Sequence, residues 1–135
     1  MDHQRREECE RGRILFKEEC YSIQGAVFEV YREMGSGFLE AVYQECMEKE
    51  LFNRGIPFVT QRELKLTYKG AALDQTFRPD LVCYDSIIVE LKALKELSPQ
   101  HEAQALNYLK ASRMQLALVV NFGSYPKATI KRIAL

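Results

Sequence analysis

The sequence predicts a single α/β domain in which a mixed β-sheet packs against helices. Apolar residues recur first at helical spacing and later in short, strand-like runs. The predicted order is two helices, four strands, a helix and two strands, which is typical of layered α/β folds. With 135 residues, the chain suits one domain with an ordinary hydrophobic core. We therefore expect residues 1–135 to form one domain without an internal repeat or an interdomain linker.

Two helices are expected in the first half of the chain. Apolar residues recur every three or four positions over about residues 14–34, and the glycines in residues 35–37 end that pattern. A second helix is expected over residues 38–53, and Gly55 follows its end. Residues 1–12 are highly charged, and we expect a frayed segment or an exposed helix start there.

Strand-like segments follow the two helices. Residues 58–66 and 67–73 are expected to form a hairpin or one long bent strand, with Lys69-Gly70 as the turn. Residues 77–92 are expected to form a second hairpin, because two apolar runs flank a short polar turn.

A third helix and one or two strands complete the predicted fold. Ser98 suits an N-cap and Pro99 suits the first helical turn, so the helix is expected to begin there and to end near Ala111. Residues 116–120 form the apolar run of a buried strand, and residues 130–135 are expected to add an edge strand.

Two carboxylates are predicted to face each other on the second hairpin. If the turn is centred on Asp85, then Asp80 faces Glu90, with the two Cβ atoms about 5 Å apart. Like charges at this distance repel, and such a pair usually holds a cation. Strand alternation places Lys92 on the same face as Glu90. Two hard oxygen ligands and an ammonium group are what Mg²⁺-dependent hydrolysis of a phosphodiester requires.

This interpretation depends on the register of the hairpin. A turn centred on Asp85 pairs Cys83 with Ile87, whereas a two-residue loop would place Val89 opposite Asp80 and separate the charged groups. The residues alone also leave open a simpler alternative, an exposed edge hairpin with a surface ion pair.

Further candidate residues lie on the helices. Glu40 lies in the first turn of the second helix, where the helix dipole alone would favour a carboxylate. His101, Gln104 and Tyr108 share one face of the third helix. That face could contact a substrate phosphate or support a metal ligand, or it could be ordinary half-buried surface.

Other kinds of site find little support in the sequence. Glycine-rich phosphate loops and the HExxH zinc motif are missing, and only two histidines are present. The four cysteines lack metal-ligand spacing and are expected to be free thiols in a reducing compartment. Tryptophan is absent and Phe and Tyr are scattered, which predicts no aromatic stacking platform for a single strand.

Composition suggests a cytoplasmic protein without a membrane partner. The chain is 47% hydrophobic and 28% charged, as soluble globular proteins are, and it shows neither a bilayer-length apolar run nor a signal-peptide core. The net charge of zero argues against a strong nucleic-acid binder. From Lys92 onward, however, seven basic residues accompany two acidic ones. This basic part could follow phosphates, or it could pack against the acidic part of the chain.

Several motifs occur together in an order that resembles a known family. The chain is similar, over about residues 14–135, to the GxxExxY protein family, a small branch of the PD-(D/E)XK nuclease superfamily; residues 1–13 lie outside the match. The matching motifs are Gly37-Phe38-Leu39-Glu40-Ala41-Val42-Tyr43, Phe77-Arg78-Pro79-Asp80-Leu81-Val82, Ile88-Val89-Glu90-Leu91-Lys92-Ala93, His101-Glu102-Ala103-Gln104, Leu106-Asn107-Tyr108-Leu109-Lys110 and Asn121-Phe122-Gly123.

The resemblance implies a restriction-endonuclease-like core and a metal-dependent nuclease with DNA or RNA as its substrate. Asp80 and Glu90 would bind Mg²⁺ or Mn²⁺, with the carbonyl of Leu91 as a further ligand. Glu40 would complete the acidic cluster through a water or a second metal ion. Lys92 would lie beside the attacking water and stabilise charge on the phosphoryl oxygens.

The resemblance also suggests substrate contacts. Gln104 and Tyr108 match a QxxxY element that lies beside the metal site in exonuclease-like branches, and His101 shares their helix face. Tyr31 stands where many relatives have histidine, and Ser36 stands where proline is frequent.

Two alternatives to a nuclease remain open at this point. One is a catalytically inactive nuclease fold that serves as a homo-oligomeric interaction protein or a nucleic-acid-binding protein. The other is a metal-dependent hydrolase of a small phosphate compound. A nuclease of this size would need a homodimer or a partner protein to cover a useful length of duplex.

Overall fold

The computed structural model describes residues 16–135. Residues 1–15 lie outside the described part, and so does the helix start expected over residues 1–12.

The described chain contains three helices and seven strands, in the order α-α-β-β-β-β-β-α-β-β. The α/β fold class is confirmed, with one strand more than predicted because residues 58–66 are divided between two strands. The helices are α1 (Lys17–Met34), α2 (Glu40–Asn53) and α3 (Pro99–Ser112), and the strands are β1 (Phe58–Val59), β2 (Leu64–Tyr68), β3 (Ala71–Phe77), β4 (Leu81–Cys83), β5 (Ile87–Lys92), β6 (Leu116–Asn121) and β7 (Thr129–Ala134).

The main sheet is mixed and has five strands in the order β1-β4-β5-β6-β7. Strands β5 and β6 are parallel and are connected through α3, whereas the other neighbours are antiparallel. Strands β2 and β3 form a separate two-stranded hairpin. Its turn is at Lys69-Gly70, as predicted, and both residues have the positive φ that tight hairpin turns require. The alternative of one long bent strand was therefore wrong.

Strand β5 separates two apolar clusters on the two faces of the sheet. Ile87, Val89 and Leu91 belong to the larger cluster, which includes the buried faces of α1 and α2. Ile88 belongs to a smaller cluster with Leu109 of α3. The alternation within β5 follows from the pleat of a strand. As a result, the even-numbered residues Glu90 and Lys92 point to the side of the sheet that α3 covers only in part.

Strand β6 is buried along its whole length, as the apolar run of residues 116–120 predicts. Helix α3 begins with Ser98 as its N-cap and Pro99 as its first residue, which confirms the expected start. No helix within residues 16–135 is long and apolar enough to cross a membrane.

The cysteines at positions 20, 46 and 83 are free thiols. Cys20 and Cys83 are buried in the larger apolar cluster. Burial, with a smaller contribution from nearby Cys20, raises the pKa of Cys83 to about 12. This thiol therefore serves as a small apolar core residue.

Candidate active site

The β4–β5 hairpin has the register that the sequence predicts. Cys83 pairs with Ile87 and Leu81 pairs with Val89. Continuing this register by one step places Asp80 opposite Glu90. The two-residue loop that would have separated the carboxylates is therefore excluded.

Each of the two carboxylates is held by a backbone N–H of the opposite chain segment. Asp80 Oδ2 accepts a hydrogen bond from the N–H of Leu91 at 2.7 Å. Glu90 Oε1 accepts one from the N–H of Asp80 at 3.2 Å. Both side chains are half-buried. These reciprocal bonds hold the two acids side by side before any ligand arrives.

Burial and mutual repulsion perturb the titration of this pair. The pKa of Glu90 is raised to about 7, first by burial and then by the charge of Asp80, whereas the Asp80 N–H and Lys92 lower it less. The pKa of Asp80 is also raised, chiefly by burial, although the Leu91 N–H and Lys92 oppose the shift. Desolvation and like charge both disfavour ionised carboxylates. Near neutral pH, Asp80 and Glu90 are therefore not both fully ionised unless a cation is bound between them.

The chemistry of the pair fits a hard divalent cation. Mg²⁺ binds carboxylate oxygens, and it commonly uses one or two protein carboxylates while keeping several waters. Within residues 16–135 no three His, Cys, Asp or Glu side chains are gathered closely enough to hold a metal ion by themselves. Asp80 and Glu90 are the two predicted ligands that hydrogen bonds hold side by side.

Glu40 lies near this pair without joining it. It is exposed and is the first residue of α2. Its negative charge contributes to the raised pKa of both Asp80 and Glu90. A water molecule between Glu40 and the two carboxyl groups would agree with this electrostatic effect. Its role as a further ligand remains a prediction.

Tyr43, three residues after Glu40, fixes the start of α2. Its ring is fully buried and stacks on Phe122, with the ring centroids 4.4 Å apart and the planes 2° from parallel. Its hydroxyl donates to the carbonyl of Gly35 at 2.6 Å and accepts from the N–H of Phe38 at 3.3 Å. The Tyr of the GxxExxY motif is therefore a structural anchor for the segment that carries Glu40.

Gln44 connects α2 to the acid pair, and sequence reasoning missed it. Its side-chain amide donates to the backbone carbonyl of Asp80 at 3.1 Å and to Glu48 at 3.2 Å. A glutamine on a helix surface gives no sequence signal for such a contact, because its partner is 36 residues away.

A cleft of about 180 Å³ lies between α3 and the face of the sheet that carries Glu90. Asp80 is not part of the lining. Five of the seven predicted site residues line this cleft together: Glu90, Lys92, His101, Gln104 and Tyr108.

His101 also stabilises the start of α3. Its Nδ1 accepts a hydrogen bond from the backbone N–H of Ser98 at 3.0 Å and lies 2.8 Å from the Ser98 hydroxyl. Because a backbone N–H can only donate, the neutral ring carries its proton on Nε2. His101 therefore combines a helix-capping role with a position in the cleft lining.

The end of β6 holds the chain segment that follows Lys92. The side chain of Asn121 is fully buried and makes two bonds to Leu94, accepting from its N–H and donating to its carbonyl, both at 2.9 Å. It also accepts from the N–H of Gly123 at 3.1 Å and donates to the hydroxyl of Ser124 at 3.1 Å. All of its polar atoms are satisfied. The Asn-Phe-Gly motif at the end of the strand was the only sequence signal for this role.

Tyr31 joins α1 to the loop after β6. Its hydroxyl donates to the carbonyl of Ser124 at 2.8 Å. Tyr31 therefore has a structural role, because it ties the end of α1 to the segment that follows β6.

Two aromatic rings meet at one side of the cleft. Phe77 at the end of β3 stacks on Tyr108 of α3, with the ring centroids 3.9 Å apart and the planes 12° from parallel. Both rings line the cleft. The β2–β3 hairpin brings Phe77 close to Tyr108, although the two residues lie far apart in the sequence.

The raised pKa of Glu90 predicts that the metal-free protein loses stability as the pH rises. When folding raises the pKa of a carboxyl group, the stabilising contribution of that group is fully present at pH values below its pKa in the unfolded chain. For Glu90 this contribution is lost as the pH rises from about 4.5 through about 7. Between pH 5 and pH 8 we expect a loss of roughly 2 kcal/mol relative to Glu90→Gln. Urea unfolding with a chelator present measures this difference. Parallel pH profiles of the two proteins would contradict the prediction.

Comparison with known proteins identifies the superfamily of the chain. A model of the PD-(D/E)XK nuclease superfamily matches residues 17–133. The chain belongs to this superfamily.

A solved structure shares the fold of this chain. The chain is similar to the crystal structure of SSO0001 with a TM-score of 0.52 and 18% identity, over 70% of this chain and 48% of that one. An alkaline exonuclease, LHK-Exo from Laribacter hongkongensis, matches with a TM-score of 0.49 and 12% identity, over 70% of this chain and 55% of that one. The matches thus span about half the length of each of these proteins. A comparison with curated sequences gives no match. The core of the chain is restriction-endonuclease-like.

Proposed function

We propose that the protein is a metal-dependent nuclease that hydrolyses phosphodiester bonds in DNA or RNA. The observation that carries this proposal is the half-buried pair of Asp80 and Glu90. A bound cation would relieve the repulsion between the two carboxylates. Lys92 lines the same cleft as Glu90. Membership of a nuclease superfamily supports the reaction class.

Each site residue has a separate task in the proposed reaction. Asp80 and Glu90 would hold Mg²⁺ or Mn²⁺, and Glu40 would act on the pair through water or a second ion. The metal would polarise the phosphate and lower the pKa of a bound water. Lys92 would hold the attacking water and stabilise negative charge on the phosphoryl oxygens.

The residues on α3 would position the substrate. Gln104 and Tyr108 line the same cleft as Glu90 and Lys92. The Nε2–H of His101 would donate to a phosphate oxygen, because Nδ1 is already occupied by Ser98.

We also place the chain in the GxxExxY branch of the superfamily. Gly37 has a φ of 111°, which only glycine adopts easily, and Tyr43 anchors the segment before Glu40. These contacts give a physical reason for the spacing of that motif.

In the same proposal, residues 1–135 form one domain that acts in the cytoplasm, as a homodimer or with a partner protein.

Asp80→Asn tests whether the acid pair binds metal. In the absence of metal we expect this variant to melt at a higher temperature than the wild type, because the repulsion between Asp80 and Glu90 is relieved. Mn²⁺ is expected to stabilise the wild type by about 2.7 kcal/mol at a concentration of 100 times Kd, and to leave the variant unchanged. Melting temperatures with and without Mn²⁺ measure both effects.

The control is Asp74→Asn, which removes an exposed carboxylate of β3 outside the cleft. It is expected to respond to Mn²⁺ as the wild type does. If the wild type shows neither a shift with millimolar Mn²⁺ nor cleavage of any DNA or RNA substrate, the inactive-scaffold alternative becomes the better account. Cleavage of a small phosphodiester without cleavage of oligonucleotides would support the small-phosphate hydrolase instead.

A further inference from the structure

The cleft changes in character along its length. At one end are the charged groups of Glu90 and Lys92 and the amide of Gln104. At the other end the wall consists of the stacked rings of Phe77 and Tyr108. With a divalent cation held by Glu90, as proposed above, a ligand that fills the cleft should have an anionic part and a flat apolar part.

The spacing of the two ends agrees with the dimensions of a nucleotide. Ile88 and Glu90 lie on the same face of β5, about 7 Å apart along the strand. Ile88 pairs with Ala117 of β6, so the floor of the cleft is apolar at the aromatic end. In a nucleotide only a sugar separates the base from the phosphate. A phosphate beside Glu90 would place its base toward the aromatic end of the cleft, beside the paired rings of Phe77 and Tyr108.

We propose that the aromatic end of the cleft is a base-binding subsite, so that the substrate is an unpaired strand and not a continuous duplex. This inference rests on the proposed nuclease function and specifies its substrate. Stacking on aromatic rings accepts every base and is the usual means of holding single strands. A paired base must first leave the helix, which costs unstacking and unpairing energy.

The direct test compares cleavage of three substrates by the wild-type protein with Mn²⁺. They are a short oligothymidylate, the same strand with one abasic residue, and the blunt duplex of the same sequence. We expect the single strand to be cleaved roughly tenfold or more faster than the duplex. Removal of one base is expected to slow cleavage at the adjacent phosphate by roughly 5- to 100-fold. The RNA counterparts of the three substrates show which sugar is accepted.

Variants locate the effect at the proposed subsite. Tyr108→Leu is expected to lose both the strand preference and the sensitivity to an abasic residue, whereas Tyr108→Phe keeps the ring and should keep both. Tyr68→Leu is the matched control, because Tyr68 is 63% exposed and outside the cleft lining. The abasic comparison uses only the wild type, so it holds even if Tyr108→Leu proves unstable.

The outcomes separate this inference from the proposed function. Equal cleavage of the duplex and the single strand, or equal cleavage of the intact and abasic strands, would overturn the subsite and leave the nuclease function standing. Absence of both cleavage and an Mn²⁺-induced stability shift would overturn the nuclease function and the subsite together.

Discussion

Lys92→Met is expected to reduce the rate of phosphodiester cleavage by about 100- to 1000-fold, the usual loss when one preorganised electrostatic contact to a transition state is removed. Lys92 lies on β5 two residues beyond Glu90 and faces the same cleft. Methionine keeps most of the apolar stem and removes only the ammonium group. The variant should therefore fold, and cleavage assays with saturating Mn²⁺ measure the loss.

A stability measurement distinguishes catalysis from metal binding at this position. Asp80 and Glu90 remain in Lys92→Met, so we expect Mn²⁺ still to raise its melting temperature. Lys95→Met provides the control, because Lys95 is an exposed residue outside the cleft lining. Activity of Lys92→Met within a few-fold of the wild type would exclude the proposed role of its ammonium group.

Gly123→Ala is expected to destabilise the protein by about 3 kcal/mol, at the upper end of what overpacking usually costs. A Cβ atom at this position would lie 2.6 Å from the backbone C and N atoms of Leu94 and would also clash with its carbonyl oxygen. Leu94 cannot move away easily, because its N–H donates to the side chain of Asn121 and its carbonyl accepts from it. Urea unfolding measures the change in the free energy of unfolding.

Gly25→Ala is the matched control for this substitution. Gly25 lies within α1, and its added Cβ would meet only the end of the Arg54 side chain, 2.9 Å away at Nη1. That side chain can move, and alanine is favoured over glycine inside a helix by about 1 kcal/mol. We expect Gly25→Ala to be neutral or mildly stabilising. Equal effects of the two substitutions would show that close packing at Gly123 does not limit stability.

Local patterns in the sequence predicted much of the fold and the centre of the site. A turn centred on Asp85 predicted a β4–β5 register with Asp80 opposite Glu90, and the structure has that register and not the one of the alternative two-residue loop. The start of α3 followed in the same way from Ser98 and Pro99. These features depend on residues close together in the chain, where backbone geometry restricts the choices.

Contacts between distant segments escaped sequence reasoning. The amide of Gln44 reaches Asp80 across 36 residues, and the stacking of Phe77 on Tyr108 joins a hairpin to a helix. No spacing rule connects such positions, since their approach depends on how whole elements pack. The exposed position of Glu40 at the edge of the acid pair is likewise set by the packing of α2.

The alternation of residues in strand β5 links the packing of the core to the position of the charged site residues. Its residues alternate, with Val89 and Leu91 in the larger core and Glu90 and Lys92 at the cleft. A one-residue insertion or deletion in the preceding turn would move the charged side chains into the core. A chain with such a shift would lose the core contacts of Val89 and Leu91 and would be destabilised. The register that buries Val89 and Leu91 is therefore also the register that places Glu90 opposite Asp80.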